Sequence, residues 1–282
     1  MLTVVAPPGD LAAAIEAGIV VRRSAAVAGA VWSSRFPAMP RAMLTVPFVA
    51  GQPLAPSFHA LSTRPTQHRG EGDVHALGLV LRPAAAAQLL GGSTGALVDQ
   101  VLPWAEVACE SESRRLQDML AAAPTAAARL QALHDSVRRT LAGALARGAP
   151  RALAARAEVV ERLCEAVGRH GAGAGPLLGL GERRLERRCR ALLALSPKRM
   201  QRLVRFHAAL SAEVSAALSV PGRRPRRPGA DVALEAGYYD QSHLAREARL
   251  LAGEPLRDVL AGAHEAGAWW PLLAQRPLRH HR

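Results

Sequence analysis

The segment from Asp231 to Arg246, Asp-Val-Ala-Leu-Glu-Ala-Gly-Tyr-Tyr-Asp-Gln-Ser-His-Leu-Ala-Arg, leaves the chain little conformational choice. Its first six residues have helix-forming composition and stop at Gly237, a residue that tolerates the left-handed conformation of a helix C-terminus. Asp240 is a good N-cap for a following helix, and Leu244 falls where that helix must pack back on the first. Gln241, Ser242, His243 and Arg246 then share the opposite, solvent face. Two short helices across a tight turn, with a polar second helix, is helix-turn-helix geometry.

An earlier segment, Leu177-Leu-Gly-Leu-Gly-Glu-Arg-Arg-Leu-Glu-Arg-Arg188, repeats the logic. Gly179 supplies the turn, Leu185 packs inward, and Arg183, Arg184, Glu186, Arg187 and Arg188 remain outside. Between the two segments, Ser196 caps and Pro197 opens a long helix to Leu218. Met200, Leu203, Val204, Phe206 and Leu210 form its buried stripe. Other helices are expected over 154–169, 181–195, 230–236, 240–251 and 256–263, so the C-terminal half is expected to be all-α.

The first half reads differently. Short apolar runs, 43–49 and 75–81, stand among Pro37, Pro40, Pro53, Pro56, Pro65, Gly70 and Gly72, which excludes long helices and fits a small β structure. Residues 11–17 fit either a short helix or an extended lead-in. From Pro83 the pattern turns helical over 84–90, until Gly91-Gly92, and again over 111–123 and 126–146. In the last of these Leu130, Leu133, Val137, Leu141 and Leu145 form one apolar stripe. The fold class expected is an α+β N-terminal domain over 1–148 and an all-α C-terminal domain over 149–265. A tail, 266–282, carries Trp269-Trp270, expected to dock on the body.

The chain of 282 residues carries a net charge of +13, and the charge is unevenly spread. Residues 1–150 hold 13 basic and 10 acidic side chains, whereas 151–282 hold 23 and 13. A basic half suits a polyanion, because each phosphate neutralised releases condensed counterions; a solvated basic surface is the plainer alternative. Cys109, Cys164 and Cys189 show no metal-ligand spacing and form an odd set, which argues for a reducing cytoplasm. There is no signal-peptide pattern and no apolar run of membrane-spanning length. His59, His68, Glu71 and His75 cluster in the β-like region but lack H-x-H spacing, so no metal is expected. No Ser/His/Asp elbow, phosphate loop or paired-carboxylate motif occurs, and neither catalysis nor a cofactor is expected.

Three stretches together are similar to the AraC family of bacterial regulators: Leu-Ser-Pro-Lys-Arg-Met-Gln-Arg-Leu-Val-Arg-Phe (195–206), Glu-Ala-Gly-Tyr-Tyr-Asp-Gln-Ser-His-Leu (235–244) and Ala-Gly-Glu-Pro-Leu-Arg (252–257). They span 63 residues, 195–257, in the family's order and spacing. The resemblance implies two helix-turn-helix units joined by a long helix, with double-stranded DNA as partner. It places Arg183, Glu186 and Arg187 in the first recognition helix and Gln241, Ser242, His243 and Arg246 in the second. Arg184, Arg188, Lys198, Arg199, Arg223 and Arg224 are the candidate phosphate contacts. Residues 20–145 resemble the cupin-like sensor domain of one AraC subgroup, on Gly78–Gly91 and Asp99–Pro103, which implies a small-molecule effector of unassigned identity. RNA polymerase and a second copy of the chain are further candidate partners of such an activator.

Departures from the family pattern shape the expectation. The support of the first unit reads His170-Gly-Ala-Gly-Ala-Gly-Pro-Leu-Leu, and interior Gly costs about 1 kcal/mol each and Pro about 3, so this helix is expected to be short. Cys189 and Ala248 stand where many members place Phe, which thins the packing behind both recognition helices. Pro228-Gly229 replaces a capping Ser or Thr. Specificity is therefore expected mainly from the second unit. Two alternatives are a degenerate member acting through protein contacts and a DNA-repair enzyme carrying the same module. The latter needs a Pro-Cys-His-Arg nucleophile and a four-Cys zinc site, both missing from the sequence.

Overall fold

In a computed structural model of the chain, the described residues are 2–23, 31–92, 97–147, 150–218 and 229–262. Strands β1 (Leu2–Val5), β2 (Ile15–Arg23), β3 (Val31–Phe36), β4 (Ala42–Val49), β5 (Gln52–Pro53), β6 (Ser57–His59), β7 (Thr66–Glu71), β8 (Val74–Leu81) and β9 (Val101–Pro103) build two antiparallel sheets. The larger has the order β1-β2-β8-β4-β6-β9, with β5 hanging from β4; β3 and β7 pair separately. β8 lies at its centre, with Leu79 opposite Gly18 of β2 and Leu44 of β4.

Alternation divides the large sheet into two apolar faces. Leu77, Leu79 and Leu81 point with Leu44, Val46 and Phe58 into one core, while Ala76 and Val80 point with Ile19, Val21, Met39 and Met43 into another. Both faces of β8 are thus buried, which is why 75–81 is an almost unbroken apolar run. Helices α1 (Pro83–Leu89), α2 (Trp104–Val107), α3 (Glu110–Ala122) and α4 (Ala126–Arg147) follow. The leucine stripe of α4 covers the first face: Leu130, Leu133 and Val137 are buried there, and Leu141 packs against it. Trp104 is fully buried and donates from Nε1 to Ser136 Oγ at 3.0 Å.

Beyond Pro150 every described element is helical: α5 (Pro150–His170), α6 (Ala174–Leu177), α7 (Glu182–Leu193), α8 (Pro197–Leu218), α9 (Gly229–Glu235), α10 (Gln241–Ala252) and α11 (Leu256–Gly262). Their shared core holds Val160, Leu163, Leu185, Leu203, Phe206, Leu244 and Leu251, and Ala38, Leu61 and Ala87 enter it from the first half. The architecture is an antiparallel sheet combined with many helices.

The sequence-based element assignments need three amendments. Of the two alternatives for 11–17, the helix is excluded: Gly9–Leu11 makes one 3-10 turn and Ile15 already begins β2. The alanines at 12–14 have helix propensity, but Ile15, Ile19, Val20 and Val21 gain more by pairing between β1 and β8. The sheet starts at Leu2, well ahead of the apolar runs 43–49 and 75–81, and β9 with α2 forms over 101–107, to which no element was assigned. Each is three or four residues long, too short to leave a periodic signal.

Candidate nucleic-acid interface

The second turn forms as its residue types require. Gly237 sits at φ +75°, and Asp240 is extended, its carboxylate accepting from the His243 backbone N–H at 2.6 Å. That bond satisfies one of the donors that open α10. Leu244 is fully buried, while Gln241, Ser242 and Arg246 are exposed along one face. His243 is half-buried, its ring edge-on to Tyr238 at 5.1 Å. Gly253, at φ +73°, closes the helix.

The first turn is built more sparingly. The glycine-rich stretch is short, as its composition predicts: a 3-10 turn over Gly171–Gly173 and the four residues of α6. Gly175 has a further role, since a Cβ there would lie 2.6 Å from the Leu180 carbonyl oxygen. Only glycine allows the Leu180 N–H to reach the Gly175 carbonyl at 2.9 Å and fold the turn this tightly. On α7, Leu185 and Cys189 are buried, and Arg183, Arg184, Arg187 and Arg188 are exposed. Glu186 is half-buried and accepts from Arg190 at 2.8 Å.

The structure adds residues that no local pattern marked. Arg202 of α8 donates to both carboxylate oxygens of the buried Glu247 in α10, at 2.7–3.1 Å. Arg205, one turn on, lies 4.3 Å over the Tyr238 ring and donates to the Gly237 carbonyl at 3.4 Å. Burial, reinforced by Glu247, pushes the Tyr238 phenol up to about 12. Each of these links crosses about 30 to 45 residues of sequence, so helical periodicity carries no trace of it.

Among the described residues, hydrogen bonds tie α8 and α10 to the first half. The Ala38 N–H donates to the Leu251 carbonyl in the last turn of α10 at 2.6 Å, and the Ala38 carbonyl accepts from His207 of α8. Arg199, a candidate phosphate contact, instead donates to Thr63 Oγ1 at 2.8 Å, and Thr63 is anchored on Asp99. Lys198 beside it is exposed. Arg223, Arg224 and the Trp269-Trp270 pair lie outside the described residues, as do the side chains of His68 and Glu71. Of the four residues weighed for metal, His59 bonds Thr45 at 2.9 Å and His75 stacks on Phe48 at 4.6 Å. Among the described residues no cluster of three metal-ligating side chains occurs, and no helix is long and apolar enough to cross a membrane.

No protein-family model matches the sequence, and no characterised protein does. Among solved structures, ToxT from Vibrio cholerae O395 superposes with a TM-score of 0.44 and 8% identity, over 86% of this chain and 96% of that one. An unsaturated-fatty-acid-bound wild-type ToxT from Vibrio cholerae strain SCE256 gives 0.42 and 8%, over 86% and 94%.

Proposed function

We propose that the chain is a sequence-specific, DNA-binding transcription regulator of the AraC type, with residues 149–265 as its double helix-turn-helix domain and 1–148 as a sensor. The observation that carries this is α10: a capped helix behind a glycine turn, seated on Leu244, that presents Gln241, Ser242 and Arg246 to solvent. Gln can pair bidentately with adenine and Arg with guanine in the major groove. Glu186 and Arg187 of α7 are the corresponding candidates of the first unit, with Arg183. Arg184, Arg188 and Lys198 supply phosphate contacts, and Arg223 with Arg224 extends them.

A small-molecule effector acting on the first half, RNA polymerase and a second copy of the chain complete the proposed set of partners; catalysis is not proposed. The test is the affinity of the full chain for random-sequence duplex DNA across a salt series. A log–log slope of several negative units is expected, because each phosphate neutralised contributes about −0.9. A slope near zero would leave the reading without support and favour action through protein contacts.

A further inference from the structure

The apolar part of the inner face of α10 is smooth. It seats Leu244, Ala248, Leu251 and Ala252 in the shared core, and two of those four are alanines. Alanine presents a small knob, so apolar packing alone gives this helix weak resistance to rotation about its own axis. Rotation matters at this surface. With a helix radius of roughly 5–6 Å including side chains, a turn of about 20° moves a side-chain tip by about 2 Å. That is more than half of the ~3.4 Å step between stacked base pairs.

One polar group interrupts the smooth face. Glu247 immediately follows the exposed Arg246, is 6% exposed as a side chain, and is gripped through both oxygens by Arg202. A bidentate guanidinium–carboxylate pair fixes direction as well as distance, which apolar contact does not. Its anchor, α8, is held by Met200, Leu203 and Phe206, all fully buried.

We infer that Arg202 and Glu247 are positioning residues for base reading: their bidentate pair sets the rotation of α10, and with it where Gln241, Ser242 and Arg246 meet the bases. This rests on the proposed DNA-binding function. It assigns Arg202, one of many arginines in a basic half, to the inside of the reader rather than to phosphate.

The test compares the full-length wild type with Glu247→Gln, Arg202→Lys and the apolar pair Arg202→Met/Glu247→Leu. Each is titrated against its selected duplex and against random duplex, over a salt series. The expected result is a roughly tenfold or greater fall in the specific-to-random affinity ratio for all three, with the random-duplex salt slope unchanged because phosphate contacts are intact. The apolar pair serves as the control for folding, since replacing both members of a buried pair is often neutral or stabilising. A stable Met/Leu variant with wild-type discrimination would overturn the inference, as would a folded Glu247→Gln with an unchanged ratio. A wild type that never discriminates would instead remove the DNA-reading function itself, and this inference with it.

Discussion

The His207 imidazole lies with its Nε2 2.6 Å from the Ala38 carbonyl oxygen, joining α8 to the segment that precedes β4. A carbonyl only accepts, so Nε2 carries the proton. Burial, with Arg41 nearby and against the pull of the Ala38 carbonyl, pushes the imidazole down to about 4. The folded protein therefore holds a neutral histidine that the unfolded chain would protonate near the usual 6.5.

Because this pKa is depressed on folding, the group's stability contribution is complete above about pH 6.5 and is lost as pH falls toward 4. The loss at pH 4 is on the order of 3 kcal/mol. His75 and His134, both lowered chiefly by burial, act in the same direction. Urea midpoints at pH 7.5 and pH 5 should separate clearly for wild type, and less for His207→Gln, whose amide can still donate but does not titrate. An equal pH dependence in the two proteins would contradict this assignment.

Ser136 is the hinge of a buried polar chain, accepting from the Trp104 indole and donating to Glu112 at 2.8 Å; Glu112 is in turn held by Arg139 at 2.7 and 3.0 Å. Ser136→Ala leaves a buried donor without its acceptor, and a loss of about 1–3 kcal/mol in unfolding free energy is expected. A denaturant midpoint unchanged by the substitution would show the chain of bonds to be dispensable.

Asp240 caps α10 through its bond to the His243 N–H. Asp240→Ala should cost about 1 kcal/mol, whereas Asp240→Ser should recover most of it. Amide exchange reports the effect locally, with faster exchange expected in the first turn of α10 and no change in α7. Equal behaviour of the two variants would exclude a capping role.

The three cysteines should separate in a simple alkylation experiment. Cys109 is exposed, and its bond to Ser111 at 3.2 Å holds its thiol below the ordinary value. Cys164 and Cys189 are buried, and burial pushes both up to about 12. At pH 8 the native protein should take one label, on Cys109, and the urea-unfolded chain three. Labelling of Cys164 or Cys189 in the native state would contradict the packing described for α5 and α7.

Local signals were the legible part of this chain. Gly237, Asp240 and Leu244 announce a turn, a cap and a buried contact within eight residues, and the structure places all three in those states. Pro197 opens α8, as its fixed φ and missing N–H allow. Pairings between distant segments left no such signal. The placement of 15–23 against β8, the grip of Arg202 on Glu247 and the bond from Arg199 to Thr63 each depend on tertiary register. Arg199 shows the limit well: its charge and its place beside Lys198 suggest phosphate, yet its guanidinium is already engaged across the two halves.

The proposed function assigns base reading to the exposed face of α10. Selection of bound duplexes from a random pool, carried out in parallel with wild type and Arg246→Ala, tests it most directly. A defined preference is expected for wild type, relaxed at one base position in the variant with a loss of about 1–3 kcal/mol at the selected site. Identical preference profiles for the two proteins would contradict it.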